Sequence, residues 1–96
     1  MRFIIKGPLK DNPYNLARKL GYKFLSEDKG EMNLVRNLGP NYYPRFHIYL
    51  KIENNDLIFN LHLDQKKPSY KGATAHSGEY DTELTKKEAQ RIKSII

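Results

Sequence analysis

An α+β fold is what this 96-residue sequence predicts: a mostly antiparallel sheet of three to four strands with two helices on one face. Three features carry that expectation. Two period-two runs flank an Asn-Asn pair, which is the pattern of a β-hairpin. A capped apolar repeat at helical spacing lies near each end. The elements follow in the order strand, helix, three sequential strands, helix, and sequential strands most often pair as neighbours.

Taken in order, Arg2 to Lys6 is a short apolar stretch that reads as a first strand, ended by Gly7-Pro8. Asp11-Asn12-Pro13 signals a helix start. Asp11 or Asn12 can cap, and Pro13 suits the first turn because its missing N–H would have no partner there. Leu16, Ala17 and Leu20 share one face, Arg18 and Lys19 suit the negative end of the helix dipole, and Gly21 can close the helix. The segment from Ser26 to Gly30 reads as a polar turn. Met32 to Leu38 reads as a strand with Met32, Leu34 and Leu38 on one face, and Gly39-Pro40-Asn41 as another turn.

The hairpin is the strongest feature. Phe46, Ile48, Leu50 and Ile52 alternate with His47, Tyr49, Lys51 and Glu53, and Leu57, Phe59, Leu61 and Leu63 alternate with Ile58, Asn60, His62 and Asp64. A loop of two or four residues pairs Ile48 with Leu61 and puts every large apolar side chain on one face. An odd loop would pair Ile48 with His62 and split the core, so burial selects the even loop. That register sets His47 opposite His62, Tyr49 opposite Asn60 and Arg45 opposite Asp64. The face carrying His47, Tyr49, Lys51, Asn60 and His62 is then open to solvent or a partner.

Gln65 to Glu83 has no period and is long for a compact domain, a length that is usually functional or mobile. Thr85-Lys86-Lys87-Glu88 reads as a capping box, with Leu84 and Ala89 as a hydrophobic staple. Ala89, Ile92, Ile95 and Ile96 give the stripe of the second helix, and Lys86, Lys87, Arg91 and Lys93 its polar face.

Composition bounds the function. The absence of cysteine excludes a disulfide scaffold, a thiol nucleophile and Cys-ligated zinc or iron–sulfur sites. No apolar run approaches the roughly 20 residues a membrane span needs, and the start is too short for a secretory signal, so the expectation is a single cytoplasmic domain over residues 1–96 with no membrane partner. The net charge of +6 favours anionic partners, nucleic acid first among them.

Two resemblances add to this. Gly39 to Phe46 looks like the first strand-to-strand loop of double-stranded RNA-binding domains, and Thr85 to Ala89 resembles the basic start of their second helix. That resemblance implies groove contact at Pro40 and Tyr42 and phosphate contact at Lys86 and Lys87; Tyr42 stands where that family has histidine. Phe59 to Tyr70, followed by Ala75 to Asp81, resembles the signature of a family of small uncharacterised prokaryotic proteins, which implies a prokaryotic single-domain protein and no particular activity.

Three functional readings follow. The first is a non-catalytic nucleic-acid-binding domain, RNA-binding in preference, using Arg45, His47, Tyr49, Lys51 and His62 on the open sheet face with Lys66, Lys67, Tyr70, Lys71, Lys86 and Lys87 around it. The second is a small His- or metal-dependent phosphodiester hydrolase. His47, His62 and His76 are its candidate catalytic groups, and the same three with Asp81 its candidate metal ligands; Asp64 and Glu79 are further carboxylates within reach. No cofactor is called for by the first reading, and a divalent metal by the second. The third is a protein-interaction module using the open face. The long loop is expected to fold back over that face and bring His76 or Asp81 within about 8 Å of His62, close enough to share a ligand or bridging water.

Overall fold

The computed structural model describes residues 1–65, 78–79 and 82–96. Strand β1 (Arg2–Ile5) leads into helix α1 (Pro13–Leu20), then β2 (Lys23–Asp28), β3 (Glu31–Asn37), β4 (Arg45–Glu53), β5 (Asp56–Asp64), the two-residue β6 (Gly78–Glu79) and helix α2 (Glu83–Ile95). The sheet order is β1-β5-β4-β3-β2, every pair antiparallel, with β6 also pairing β5 beyond the end of β1. The α+β class is as expected, but the sheet has five principal strands, not three to four.

The additional strand is β2. Its residues alternate poorly and are exposed throughout, so the polar segment from Ser26 read as a turn. The turn is confined to Lys29-Gly30, where φ of 52° and 79° reverse the chain. An edge strand with one neighbour needs little burial to be held by its ladder, and a shift in register between Phe24 and Ser26 marks a bulge of the kind common at sheet edges.

Helix α1 forms as expected. The Asn12 side chain accepts the Asn15 N–H at 2.8 Å, Pro13 opens the first turn, and Gly21 closes the helix with φ 85°, a region only glycine enters without strain. The hairpin takes the two-residue loop, with Asn54 and Asn55 at φ 52° and 69°, and the even register holds over its whole length: Ile48 lies opposite Leu61 and His47 opposite His62. Gly7 passes so close to this turn that a Cβ there would sit 1.7 Å from the Asn55 carbonyl oxygen.

One face of the sheet supplies Phe3, Met32, Leu34, Phe46, Ile48, Leu50, Leu57, Phe59, Leu61 and Leu63 to a core closed by Leu16, Ala17 and Leu20 of α1 and Ala89 and Ile92 of α2. Both helices therefore lie on that face. Four assignments at its margins are corrected. Ile52 is exposed at the hairpin end, and Leu38 lies beyond β3 and is exposed. Leu84 and Ile96 are likewise exposed, so there is no staple at Leu84 and the α2 stripe ends before Ile96.

The start of α2 is also corrected. Thr82 is the cap: its hydroxyl accepts the Thr85 N–H at 3.1 Å, and the Thr85 hydroxyl accepts the Thr82 N–H at 2.9 Å. Thr85 is thus the third helical residue, and Glu88 is freed from capping and buried against the sheet. Arg91 does not join the solvent face. It donates to Glu88 and to the Leu20 carbonyl at the end of α1.

Candidate functional site

The geometry of the site follows from the pleat. Strands β4 and β5 are interior strands of the sheet, so their backbones are fixed on both sides. Alternation that sends Phe46, Ile48, Leu61 and Leu63 into the core turns Arg45, His47, His62 and Asp64 to the other face. There Arg45 lies opposite Asp64, and His47 opposite His62.

All four side chains meet at the Asp64 carboxylate. Its Oδ2 lies 3.1 Å from His47 Nδ1 and 3.2 Å from Arg45 Nε, and its Oδ1 lies 3.1 Å from His62 Nε2. The other nitrogen of His47, Nε2, contacts Asn33 Oδ1 on β3. The two imidazoles sit with centroids 4.6 Å apart, and the Tyr49 ring lies 4.7 Å from His47 and 5.9 Å from His62. His47 and His62 are each 8% exposed and Asp64 7%. This face was expected to be open; its histidine pair is instead buried and held in place by hydrogen bonds, so the rings do not present flat faces for stacking.

Burial by itself pushes the Asp64 carboxyl up. The hydrogen bonds from His47 and His62, the charge of His47 and the bond from Arg45 outweigh it and hold the group well below its ordinary 3.8. A carboxylate with a lowered folded value stabilises the fold above its unfolded value and loses that contribution as pH falls through the folded one. Acid unfolding below about pH 4 should therefore be steeper in the wild type than in Asp64→Asn. Urea midpoints measured from pH 6 down to pH 2 test this; parallel profiles for the two proteins would contradict it.

The other expected site residues distribute as follows. Lys51 is exposed and lies 3.3 Å from Glu53. Tyr42 is 75% exposed on the β3–β4 connection, and the Arg45 guanidinium stands 4.7 Å from the centroid of the Tyr43 ring. Lys86 and Lys87 are exposed on α2, on the opposite side of the sheet. Lys66, Lys67, Tyr70, Lys71, His76 and Asp81 lie outside the described residues, and with them the expected approach of His76 or Asp81 to His62.

Sequence reasoning gave Asp64 one place among several carboxylates, whereas it is the common acceptor of the group. Asn33 was missed. The signal for it was present: Met32 and Leu34 point to the core, so Asn33 between them points to the histidine face.

Charge is unevenly spread over the two sides. On the sheet face Arg45 and Lys51 each have a carboxylate beside them. The helices carry Arg18, Lys19, Lys86, Lys87, Arg91 and Lys93 against Glu83 and Glu88 alone. Among the described residues no helix is long and apolar enough to cross a membrane. Comparison of the chain with protein-family models, curated proteins and solved structures found no match, so its function rests on these residues.

Proposed function

We propose that this protein binds the phosphate backbone of nucleic acid, RNA in preference, through the cationic surface of its helical layer. The observation that supports this reading is the placement of the charge. Arg18, Lys19, Lys86, Lys87 and Lys93 are exposed on two helices that pack on the same side of the sheet and touch each other. Lysines on such a layer bind phosphates as point charges and release counterions, an attraction that carries no sequence information. The resemblance of Thr85 to Ala89 to the second helix of double-stranded RNA-binding domains points to the same two lysines. The histidine face contributes less to this reading than its composition suggested, because His47, His62 and Arg45 are engaged with Asp64.

The test is anisotropy of a labelled RNA duplex and a single strand of equal length at several salt concentrations. Lys86→Ala combined with Lys87→Ala should weaken binding to both and reduce the slope of log affinity against log salt by about two, one per lost phosphate contact. Tyr49→Ala should change neither. A full slope in the double variant would remove α2 from the interface, and loss of binding in Tyr49→Ala would return the site to the sheet.

The group around Asp64 favours a second reading, a small His- or metal-dependent phosphodiester hydrolase. An imidazole oriented by a buried carboxylate has the arrangement a general acid or base requires. A metal-free turnover assay on a generic phosphodiester, repeated with added Zn²⁺ or Mn²⁺ and with His62→Ala, tests it; the reading requires His62-dependent cleavage.

A further inference from the structure

We propose that His47, His62 and Asp64 form a binding site for a single borderline divalent cation such as Zn²⁺ or Co²⁺. The site lies on the opposite side of the sheet from the nucleic-acid surface proposed above and does not depend on it.

Three observations lead there. The first is spacing. One ligating atom from each residue can be chosen so that all three lie within 4.8 Å of one another; among the described residues, no other group of three does so. Each imidazole already stands 3.1 Å from a carboxylate oxygen. Tetrahedral coordination at about 2.0–2.1 Å sets neighbouring donors about 3.3 Å apart, so an ion enters with small side-chain rotations and no backbone movement. Two nitrogens and one carboxylate oxygen also match the ligand preference of these metals.

The second observation is a conflict of donors and acceptors. Both nitrogens of His47 face oxygens: Nδ1 faces Asp64, and Nε2 faces the Asn33 amide oxygen. The Asn33 amide nitrogen in turn donates to Ser26 Oγ at 3.4 Å. A neutral imidazole has one N–H and can satisfy one of these oxygens; a second proton on the ring or a metal ion on one nitrogen is needed to satisfy both. A metal on Nδ1 resolves the conflict, because the remaining N–H then sits on Nε2 and donates to Asn33. An oxygen acceptor behind the ring is the usual partner of a metal-bound histidine, where it sets the tautomer and the ring angle.

The third is the position of Arg45. It bonds Oδ2 alone and leaves Oδ1 to His62. The cation would take Oδ1 with His62 Nε2 and His47 Nδ1. On each ring the metal takes the nitrogen that faces Asp64 and the single N–H sits on the other nitrogen; a neutral ring reaches this state by a tautomer shift, and an imidazolium releases one proton to solvent. Arg45 stays on Oδ2 and orients the carboxylate. Remaining positions around the ion are filled by water or by an oxygen of a substrate.

The experiment is titration of untagged full-length protein, stripped with chelator, first with Co²⁺ followed by visible absorption and then with Zn²⁺ followed by calorimetry. One equivalent should bind saturably, with the intense absorption of low-coordinate cobalt. His62→Ala and Asp64→Ala should each weaken binding about 100-fold or more, and Asn33→Ala about 10-fold, as loss of a group behind a ligand does. Where a variant fails to fold, imidazole ¹⁵N shifts of the wild type decide. Zn²⁺ should move the resonances of His47 Nδ1 and His62 Nε2 and leave His47 Nε2 protonated. Absence of saturable binding, full affinity in the His47→Ala, His62→Ala double variant, or unmoved shifts at these two rings would each overturn the proposal. A doubly protonated His47 unaffected by Zn²⁺ would show that the conflict at its ring is met by a proton instead.

Discussion

Phe59→Ala is expected to destabilise the protein by about 3–5 kcal/mol, the cost of deleting a buried aromatic ring and leaving a cavity behind it. Phe59 is fully buried on β5, between Phe3 of β1 and Leu50 of β4. Its ring lies parallel to that of Phe3, with centroids 4.9 Å apart, so truncation removes a stacking contact of the first strand as well as opening the core. A 96-residue domain has about 5–14 kcal/mol of total stability, so the variant should sit near its unfolding threshold at 37 °C. Urea unfolding at 25 °C should show a lower midpoint at an unchanged slope. Ile58→Ala, one residue away and half-buried on the other face, should cost far less. Equal losses from the two substitutions would show that the alternation does not define the core.

How much of this could be read in the sequence depended on whether one force acted alone. In β4 and β5, burial alone fixes the register, because any odd loop would divide Phe46, Ile48, Leu61 and Leu63 between two faces. The cross-strand pairs Arg45–Asp64 and His47–His62 were therefore legible before any coordinates. Helix α1 was legible because Asn12, Pro13 and Gly21 each have a local conformational reason to be where they are. β2 was not, since its residues are exposed on both faces and it is held by the ladder to β3 and by Tyr14 of α1, which meets Glu27 and Phe24. The α2 cap was displaced by three residues because Thr82 and Thr85 both fit the capping role, and the choice between them depends on where Glu88 goes. The histidine face was legible in composition and not in state: alternation says which residues share a face, but not that three of them close on the fourth.

Glu88→Ala is expected to cost about 2–4 kcal/mol, more than any surface ion pair could, because this carboxylate ties α2 to β3 and to the connection between α1 and β2. It is 4% exposed. Its Oε2 accepts the Tyr22 hydroxyl at 2.6 Å and Arg91 Nη2 at 2.9 Å, and its Oε1 accepts Arg91 Nε at 2.8 Å and Arg36 Nη1 at 3.4 Å. Arg91 extends the link to the Leu20 carbonyl at 2.6 Å, closing the end of α1. Burial, and then the bond to Glu88, push the Tyr22 hydroxyl far above its usual range, and the same carboxylate raises Arg91. Removing Glu88 leaves the Tyr22 hydroxyl buried without its acceptor, a loss of about 1–3 kcal/mol, and two guanidiniums without their counter-charge. The side chains of Arg36 and Arg91 are about a third exposed and can turn to water, which keeps the total below that of a fully enclosed pair. Glu88→Gln keeps an acceptor for Tyr22 and should recover part of the loss. Tyr22→Phe removes donor and demand together and should cost about 1 kcal/mol. In the double variant Glu88→Ala, Tyr22→Phe the losses should fall short of additivity, since the second substitution removes the orphan that the first creates. Additive losses, or a Glu88→Ala protein within 1 kcal/mol of wild type by urea unfolding, would show that the helices are held by apolar contact alone.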